Sequence, residues 1–147
     1  MKSGLKKLYS ETIKQLAGSQ RHVGGLTDPT FTIKAHNPMC GDDFRIDFEL
    51  KENKIHAIRF EGYGCSLSKA STALLAKKVE GMHIEDVEKY LVQYLRVADP
   101  AETKEPEAIC NDSEVLAFAM SRQFPERHTC VTMGWKAFQD HFINQKS

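Results

Sequence analysis

The chain has no run of the roughly 18 apolar residues that a membrane-crossing helix needs. The opening MKSGLKKLYSETIKQL interleaves charge with apolar residues, without the continuous apolar run and small-residue cleavage site expected of a secretory signal. An excess of one charge is missing too. Lys plus Arg and Asp plus Glu both number 20 in 147 residues, so no basic surplus is present to collect phosphates, which argues against a general nucleic-acid binder. Internal repeats and low-complexity tracts are absent, which argues against solenoids and disordered linkers. The four cysteines include no CxxC pair, so the commonest zinc-knuckle spacing is excluded. These absences predict a cytoplasmic protein with no membrane and no nucleic-acid partner, whose cysteines stay as thiols. Two disulfides in a secreted chain are the alternative reading of the cysteine count.

What is present reads as one domain over 1–147. Apolar residues at 41% and charged residues at 27% are a globular balance, and this length buries a core without staples. Leu5, Leu8, Tyr9, Ile13 and Leu16 recur at helical spacing and predict an amphipathic helix over 3–17. GSQRHVGGLTDPT is rich in turn formers and reads as a loop. Three period-two runs follow: Phe31, Ile33, Ala35; then Phe44, Ile46, Phe48, Leu50; then Ile58 and Phe60, with Ile55 and Ala57 opposite. Only KENK separates the second from the third, which predicts an antiparallel hairpin.

Helical character begins after Cys65. SLSKASTALLAKKVEG has good helix formers, a serine available as cap and Gly81 as stop. Ile84, Val87, Leu91 and Leu95 line a helix over about 84–96. The acidic, proline-bearing stretch at about 98–112 reads as a loop or insertion. Asp112 is placed to cap a helix through about Phe124, and a final helix spans Thr129 to about Ile143, with Val131, Trp135, Phe138 and Phe142 toward the core. Strands first and helices after give an α+β fold: a three-stranded antiparallel sheet against a cluster of helices.

The chemistry concentrates at three boundaries. Cys40 and Asp42 lie in HNPMCGDDF, where Pro38 and Gly41 mark a tight turn between strands and let both side chains face one ion. Cys65, in GYGCSLSKAS, stands where a strand gives way to a helix, and Cys130, in RHTCVTMGW, at another helix start. Helix amino termini favour thiolate over thiol, and thiolate is the form that binds metal and attacks sulfur. Three thiolates and a carboxylate suit tetrahedral zinc, with the hard oxygen of Asp42 as the most replaceable donor. Spacing alone also admits buried, unreactive cysteines, and both readings stand at this point.

NPMCGD, FEGYGCSLSKAS and FPERHTCVTMGWKAF resemble, in order, the three cysteine motifs of the iron–sulfur cluster assembly proteins of the SufU, IscU and NifU amino-terminal type. The likeness runs over nearly the whole chain from LYSETI onward. Within that family the insertion at about 98–112, together with Arg127, Cys130 and the WKA that follows, is similar to the SufU branch. The IscU branch has a histidine directly before the third cysteine, where this chain has Thr129. Two departures from the family pattern are GSQRHVGG, in place of an Asn-Pro-Arg-Asn type stretch, and Asp43, where many relatives carry arginine.

The resemblance implies a SufE/NifU-like, IscU-like fold and a zinc (Zn2+) site of Cys40, Asp42, Cys65 and Cys130. It further implies that Cys40 accepts persulfide sulfur from a SufS-type cysteine desulfurase, with Arg127 near the site and downstream iron–sulfur assembly proteins as partners. Such a chain would be a sulfurtransferase-like acceptor working with an enzyme. The same ligands would also serve a scaffold for an iron–sulfur cluster, and zinc could instead only brace an interaction domain. Cys110 matches no family ligand and reads as a bystander, or as a relay if exposed. His128 reads as a solvent-facing or supporting group, with ligation as the alternative. His22, His36, His56, His83 and His141 read as structural or exposed, and Ser66 and Ser68 as helix caps.

Overall fold

The structure, a computed structural model, describes residues 3–38 and 41–146. Cys40, expected as ligand and sulfur acceptor, lies outside the described residues. The sheet has the order β1-β2-β3 and is antiparallel throughout, built from β1 (Phe31–Asn37), β2 (Asp42–Lys51) and β3 (Lys54–Tyr63). Around it run α1 (Ser3–Gly18), α2 (Ser66–Val79), α3 (Ile84–Ala98) and α6 (His128–Lys146), with the single-turn helices α4 (Pro106–Ile109) and α5 (Ser113–Leu116) between α3 and α6. The expected α+β architecture is the one observed.

The hairpin between β2 and β3 turns on Glu52 and Asn53, both with positive φ, 52° and 63°. That is the type I′ geometry whose twist matches its flanking strands. Phe44, Ile46 and Phe48 of β2 pair across the sheet with Ala35, Ile33 and Phe31 on one side and Gly62, Phe60 and Ile58 on the other. Side chains alternate along a strand, so these rows share one face. That face packs on α6, with α2 beside it, α1 against α2 and α3 against α6. The outer edge of β3 is covered where Val23 pairs with Phe60, which blunts an otherwise open sheet edge. On the opposite face Asp47, 3% exposed, accepts from the Leu26 amide at 3.1 Å and the Thr32 hydroxyl at 2.8 Å. The loop before β1 is thereby fastened across the sheet.

All three strands run past the ends of their apolar periodicity, β1 to Asn37, β2 back to Asp42 and β3 on to Tyr63. Backbone pairing continues where apolar side chains stop, because Asn37↔Asp42 and Asp43↔Tyr63 still match in register. Asn37 and Asp42 stand in the same phase as the apolar row, so the covered face ends in a polar pair.

Three local expectations change. Leu8 is 51% exposed while Tyr9, Ile13 and Leu16 are buried, so the core stripe of α1 is narrower than its periodicity. The helix expected from Asp112 to about Phe124 ends at Leu116 and continues as a 3-10 turn over Ala117–Gln123. Asp112 does cap it, accepting from the amides of Glu114 and Val115. The stretch expected as a loop or insertion at about 98–112 contains α4 and is tied down by the Tyr90 hydroxyl, which donates to Asp112 at 2.6 Å, and by Lys78, 3.1 Å from the same carboxylate.

Candidate metal centre

Each donor arrives on a different element. Asp42 opens β2, Cys65 joins β3 to α2, and Cys130 sits in the first turn of α6. Between Asn37 and Asp42 the chain reverses through Gly41, whose φ of +76° is a conformation that side chains rarely adopt. Its amide donates to the Asn37 carbonyl at 2.8 Å. Asp42, Cys65 and Cys130 each present one donor atom, and these atoms all lie within 4.8 Å of one another. Asp42 is 2% exposed and Cys130 1%, while Cys65 is half-buried, so the cluster opens outward on the Cys65 side.

Asp42 is bound by both of its oxygens. Oδ1 accepts from the Cys65 amide at 3.0 Å, and Oδ2 accepts from Asn37 Nδ2 at 3.4 Å and from the Cys130 thiol at 3.6 Å. Asn37 Nδ2 also reaches Cys130 Sγ at 3.9 Å. A carboxylate out of water needs such donors, since an uncompensated buried charge costs several kcal/mol, roughly. Its chemistry remains that of the hard, exchangeable donor, but its position is fixed by the Cys65 backbone.

Cys65 itself is the cap of α2. Its sulfur accepts from the Ser68 amide at 3.5 Å, its thiol donates to Ser68 Oγ at 3.6 Å, and that hydroxyl donates back to the Cys65 carbonyl at 3.0 Å. The expectation of a serine cap is therefore corrected: Ser66 and Ser68 lie inside the helix, and the thiol occupies the capping position. Burial opposes ionisation of Cys65. The Ser68 amide, the Ser68 hydroxyl and the Leu67 amide outweigh burial and the nearby Asp42 charge, so the pKa falls below the ordinary thiol value.

Two neighbours of the cluster went unassigned in the sequence, Asn37 and Gly64. A Cβ on Gly64 would stand 2.8 Å from Asp42 Oδ1 and 2.9 Å from Phe44 Cε2, and closer still to Ser68 Oγ. Only glycine lets the chain pass between the carboxylate and the cap. Asn37 betrays itself by phase, as the polar residue that continues the period of Phe31, Ile33 and Ala35.

The other expected residues separate from this cluster. Arg127 ends a 3-10 turn three residues before Cys130; its side chain is exposed and bonds to none of Asp42, Cys65 or Cys130. His128 is outside the cluster, with Nε2 3.4 Å from Lys136 Nζ. Burial, then the Lys136 charge, lowers its pKa. Cys110 is buried at 6% exposure, and burial pushes its thiol pKa up, so it does not offer the exposed thiol of a relay. His22 is also buried and hydrogen-bonds Glu80 at 3.1 Å.

The sequence profile of the NifU-like N terminal domain matches residues 8–130. This chain belongs to that family. Among its relatives is the zinc-dependent sulfurtransferase SufU of Bacillus subtilis (strain 168), 29% identical over 93% of this chain and 90% of that protein. The iron-sulfur cluster assembly scaffold protein IscU of Thermotoga maritima is 26% identical over 92% of each. A solved structure from Fervidobacterium islandicum AW-1, titled a putative iron-sulfur cluster assembly scaffold protein for the SUF system, superposes with a TM-score of 0.79. It covers 89% of this chain and 93% of that one at 22% identity. The amino-terminal part of a NifU-like protein from Brucella abortus gives 0.79 over 99% and 100% at 20% identity. These two likenesses concern the fold. Among the described residues no helix is long and apolar enough to cross a membrane.

Proposed function

We propose that this member of the family is an iron–sulfur cluster assembly protein that carries sulfur on Cys40, with zinc held by Cys40, Asp42, Cys65 and Cys130. The observation that carries this reading is the convergence of Asp42, Cys65 and Cys130 from three separate elements to within 4.8 Å. Cys40 stands two residues from Asp42 in the chain, so backbone length alone keeps their Cα atoms within about 7 Å. The donor chemistry fits zinc: two sulfurs and a carboxylate from the described residues, a third sulfur from Cys40, and one thiol already biased toward thiolate. The SufU relative, whose name carries both zinc and sulfur transfer, supports the same choice.

Zinc supplies charge that holds thiolates at neutral pH without redox chemistry of its own. Everything else falls to the chain. Asp42, pinned by the Cys65 amide and Asn37, would be a fixed donor to the ion, and Cys40, between β1 and β2 in the chain, would be the sulfur that reacts. As thiolate, Cys40 attacks the outer sulfur of a persulfide on a partner cysteine. A new S–S bond forms on Cys40, the partner's S–S bond breaks, and the partner cysteine departs as thiolate. No external oxidant or reductant enters. A cysteine desulfurase of the SufS type is the partner that presents such a persulfide, and downstream assembly proteins receive the sulfur. Arg127, exposed and three residues before Cys130 in the chain, would meet the incoming partner rather than hold the resident donors.

The test is elemental analysis with a turnover assay. Purified protein should contain about one zinc per chain and should accelerate a matched desulfurase, and Cys40→Ala should remove the acceleration while remaining folded. Full acceleration by Cys40→Ala would overturn sulfur transfer on that residue. Its unfolding would instead favour zinc as a structural brace. The IscU relative supports a second reading, a scaffold on which a 2Fe–2S cluster is assembled. Anaerobic reconstitution separates the two, because a stable cluster that passes intact to an apo-ferredoxin belongs to the scaffold alone.

A further inference from the structure

The thiol of Cys130 touches Asp42 and Asn37 over long distances, 3.6 and 3.9 Å. The next residue is anchored by two short hydrogen bonds. The carbonyl of Val131 accepts from the Ser71 hydroxyl at 2.6 Å and from the Tyr94 hydroxyl at 2.6 Å. Those two hydroxyls are 2.9 Å apart, and the Trp135 indole N–H donates to both the carbonyl and the hydroxyl of Ser71 at 3.1 Å. The Tyr94 ring stacks on Trp135 with centroids 3.6 Å apart and planes at 5°. All of this is buried, Ser71 at 2% and Tyr94 and Trp135 at 0% exposure. Three helices, α2, α3 and α6, therefore meet at one carbonyl beside Cys130.

Core packing alone does not call for this arrangement. Hydroxyls out of water are costly unless paired, and a phenylalanine and an alanine would fill nearly the same space. The node also ties the two thiols together. Cys65 caps α2, and Ser71 lies six residues further along that helix, about 9 Å by helical rise. Val131 follows Cys130 directly. A link from Ser71 to the Val131 carbonyl thus fixes the first turn of α6 against the helix that carries Cys65.

We propose that Ser71 and Tyr94 are positioning residues for the metal centre: through the Val131 carbonyl they set where Cys130 Sγ stands relative to Cys65 and Asp42. This rests on the metal-site reading above. It differs from a purely structural role in what it predicts for the bound ion, because geometry at the ion should change even in a variant that remains folded.

Tyr94→Phe keeps the ring stack and removes only the hydroxyl. Val87→Ala, fully buried on α3 and outside the node, is the control that lowers stability without touching it. Zinc affinity would be measured by competition with a chromophoric chelator, and geometry by the visible spectrum of the cobalt-loaded protein. Tyr94→Phe should weaken zinc about tenfold, as supporting groups around metal sites commonly do, and should shift the cobalt ligand-field bands. Val87→Ala should lower the melting temperature while leaving the bands in place. Should Tyr94→Phe not fold, Ser71→Ala and Ser71→Thr make the same comparison, with threonine restoring the spectrum that alanine loses. Bands and affinity equal to wild type in the folded node variants, or a parallel loss in Val87→Ala, would overturn the proposal while sparing the metal site. A wild-type chain that takes up neither zinc nor cobalt overturns the metal site and the proposal together.

Discussion

Adding one methyl group at Gly64 tests the centre from its most crowded side. The Cβ of Gly64→Ala would meet Asp42 Oδ1 at 2.8 Å, Phe44 Cε2 at 2.9 Å and, closer still, Ser68 Oγ. None of the three is a loose end. Asp42 Oδ1 is bonded to the Cys65 amide at 3.0 Å, Ser68 Oγ to the Cys65 carbonyl at 3.0 Å, and Phe44 is 1% exposed. Overpacking a tight interior costs about 1–3 kcal/mol. Pushing Asp42 off the Cys65 amide adds the loss of a charge-assisted hydrogen bond, about 1.5–3 kcal/mol. The two overlap, since one movement relieves both, so the net destabilisation should be about 3 kcal/mol. For a domain of this size that lowers the melting temperature by about 10 °C. Urea unfolding of the metal-free protein measures it, and zinc titration should show weakened binding in the same variant. Gly18→Ala, where nothing lies within 4 Å of an added Cβ, should change neither. A Gly64→Ala protein with wild-type urea midpoint and wild-type zinc affinity would refute both the packing and the placement of Asp42.

Stripping zinc with a chelator should lower the melting temperature, by an amount equivalent to about 2.7 kcal/mol when free zinc had stood at a hundred times its dissociation constant; calorimetry before and after dialysis reads the difference, and coincident traces would count against a bound metal. Asn53→Ala should cost about 1 kcal/mol, because Asn53 holds φ at 63° in the hairpin turn and alanine is strained there; Asn53→Gly should recover it in the same urea assay. Burial works to raise the pKa of Glu80, but His22, Arg59 and the Ile58 amide prevail and hold it below its usual 4.5. Its contribution is therefore complete above pH 4.5 and lost as pH falls through the depressed value. Glu80→Gln should lower the urea midpoint at neutral pH, with the gap to wild type closing on acidification; a gap constant with pH would contradict this ionisation.

Period-two and helical spacing located the strands, the long helices and the hairpin, because each buries one face and alternation reports that face directly. It failed where backbone, rather than side chains, carries the structure. The strand ends that deliver Asn37 and Asp42 are polar, so apolar counting stopped at Ala35 and Phe44. The segment after Asp112 has helical composition but breaks to a tighter turn at Ala117, beyond what local propensity reports. At the site, residue type and motif order singled out Asp42, Cys65 and Cys130, whose convergence is observed, and Cys40, which lies outside the described residues. The support around them was not legible. The cap at Cys65 looked like a serine's, since thiols seldom hold that position. Gly64 drew no assignment, because its importance is the space it leaves for a carboxylate twenty-two positions away in the chain.

Cys65 serves two masters. As the cap of α2, its sulfur receives the Ser68 N–H, a bond that is strongest when the sulfur carries negative charge. Covalent change that neutralises this half-exposed thiol, such as alkylation or disulfide formation, therefore also slackens the first turn of the helix behind it. The chemical state of one sulfur atom is in this way written into the firmness of α2, where amide hydrogen exchange at Leu67 and Ser68 can read it without any metal or partner present.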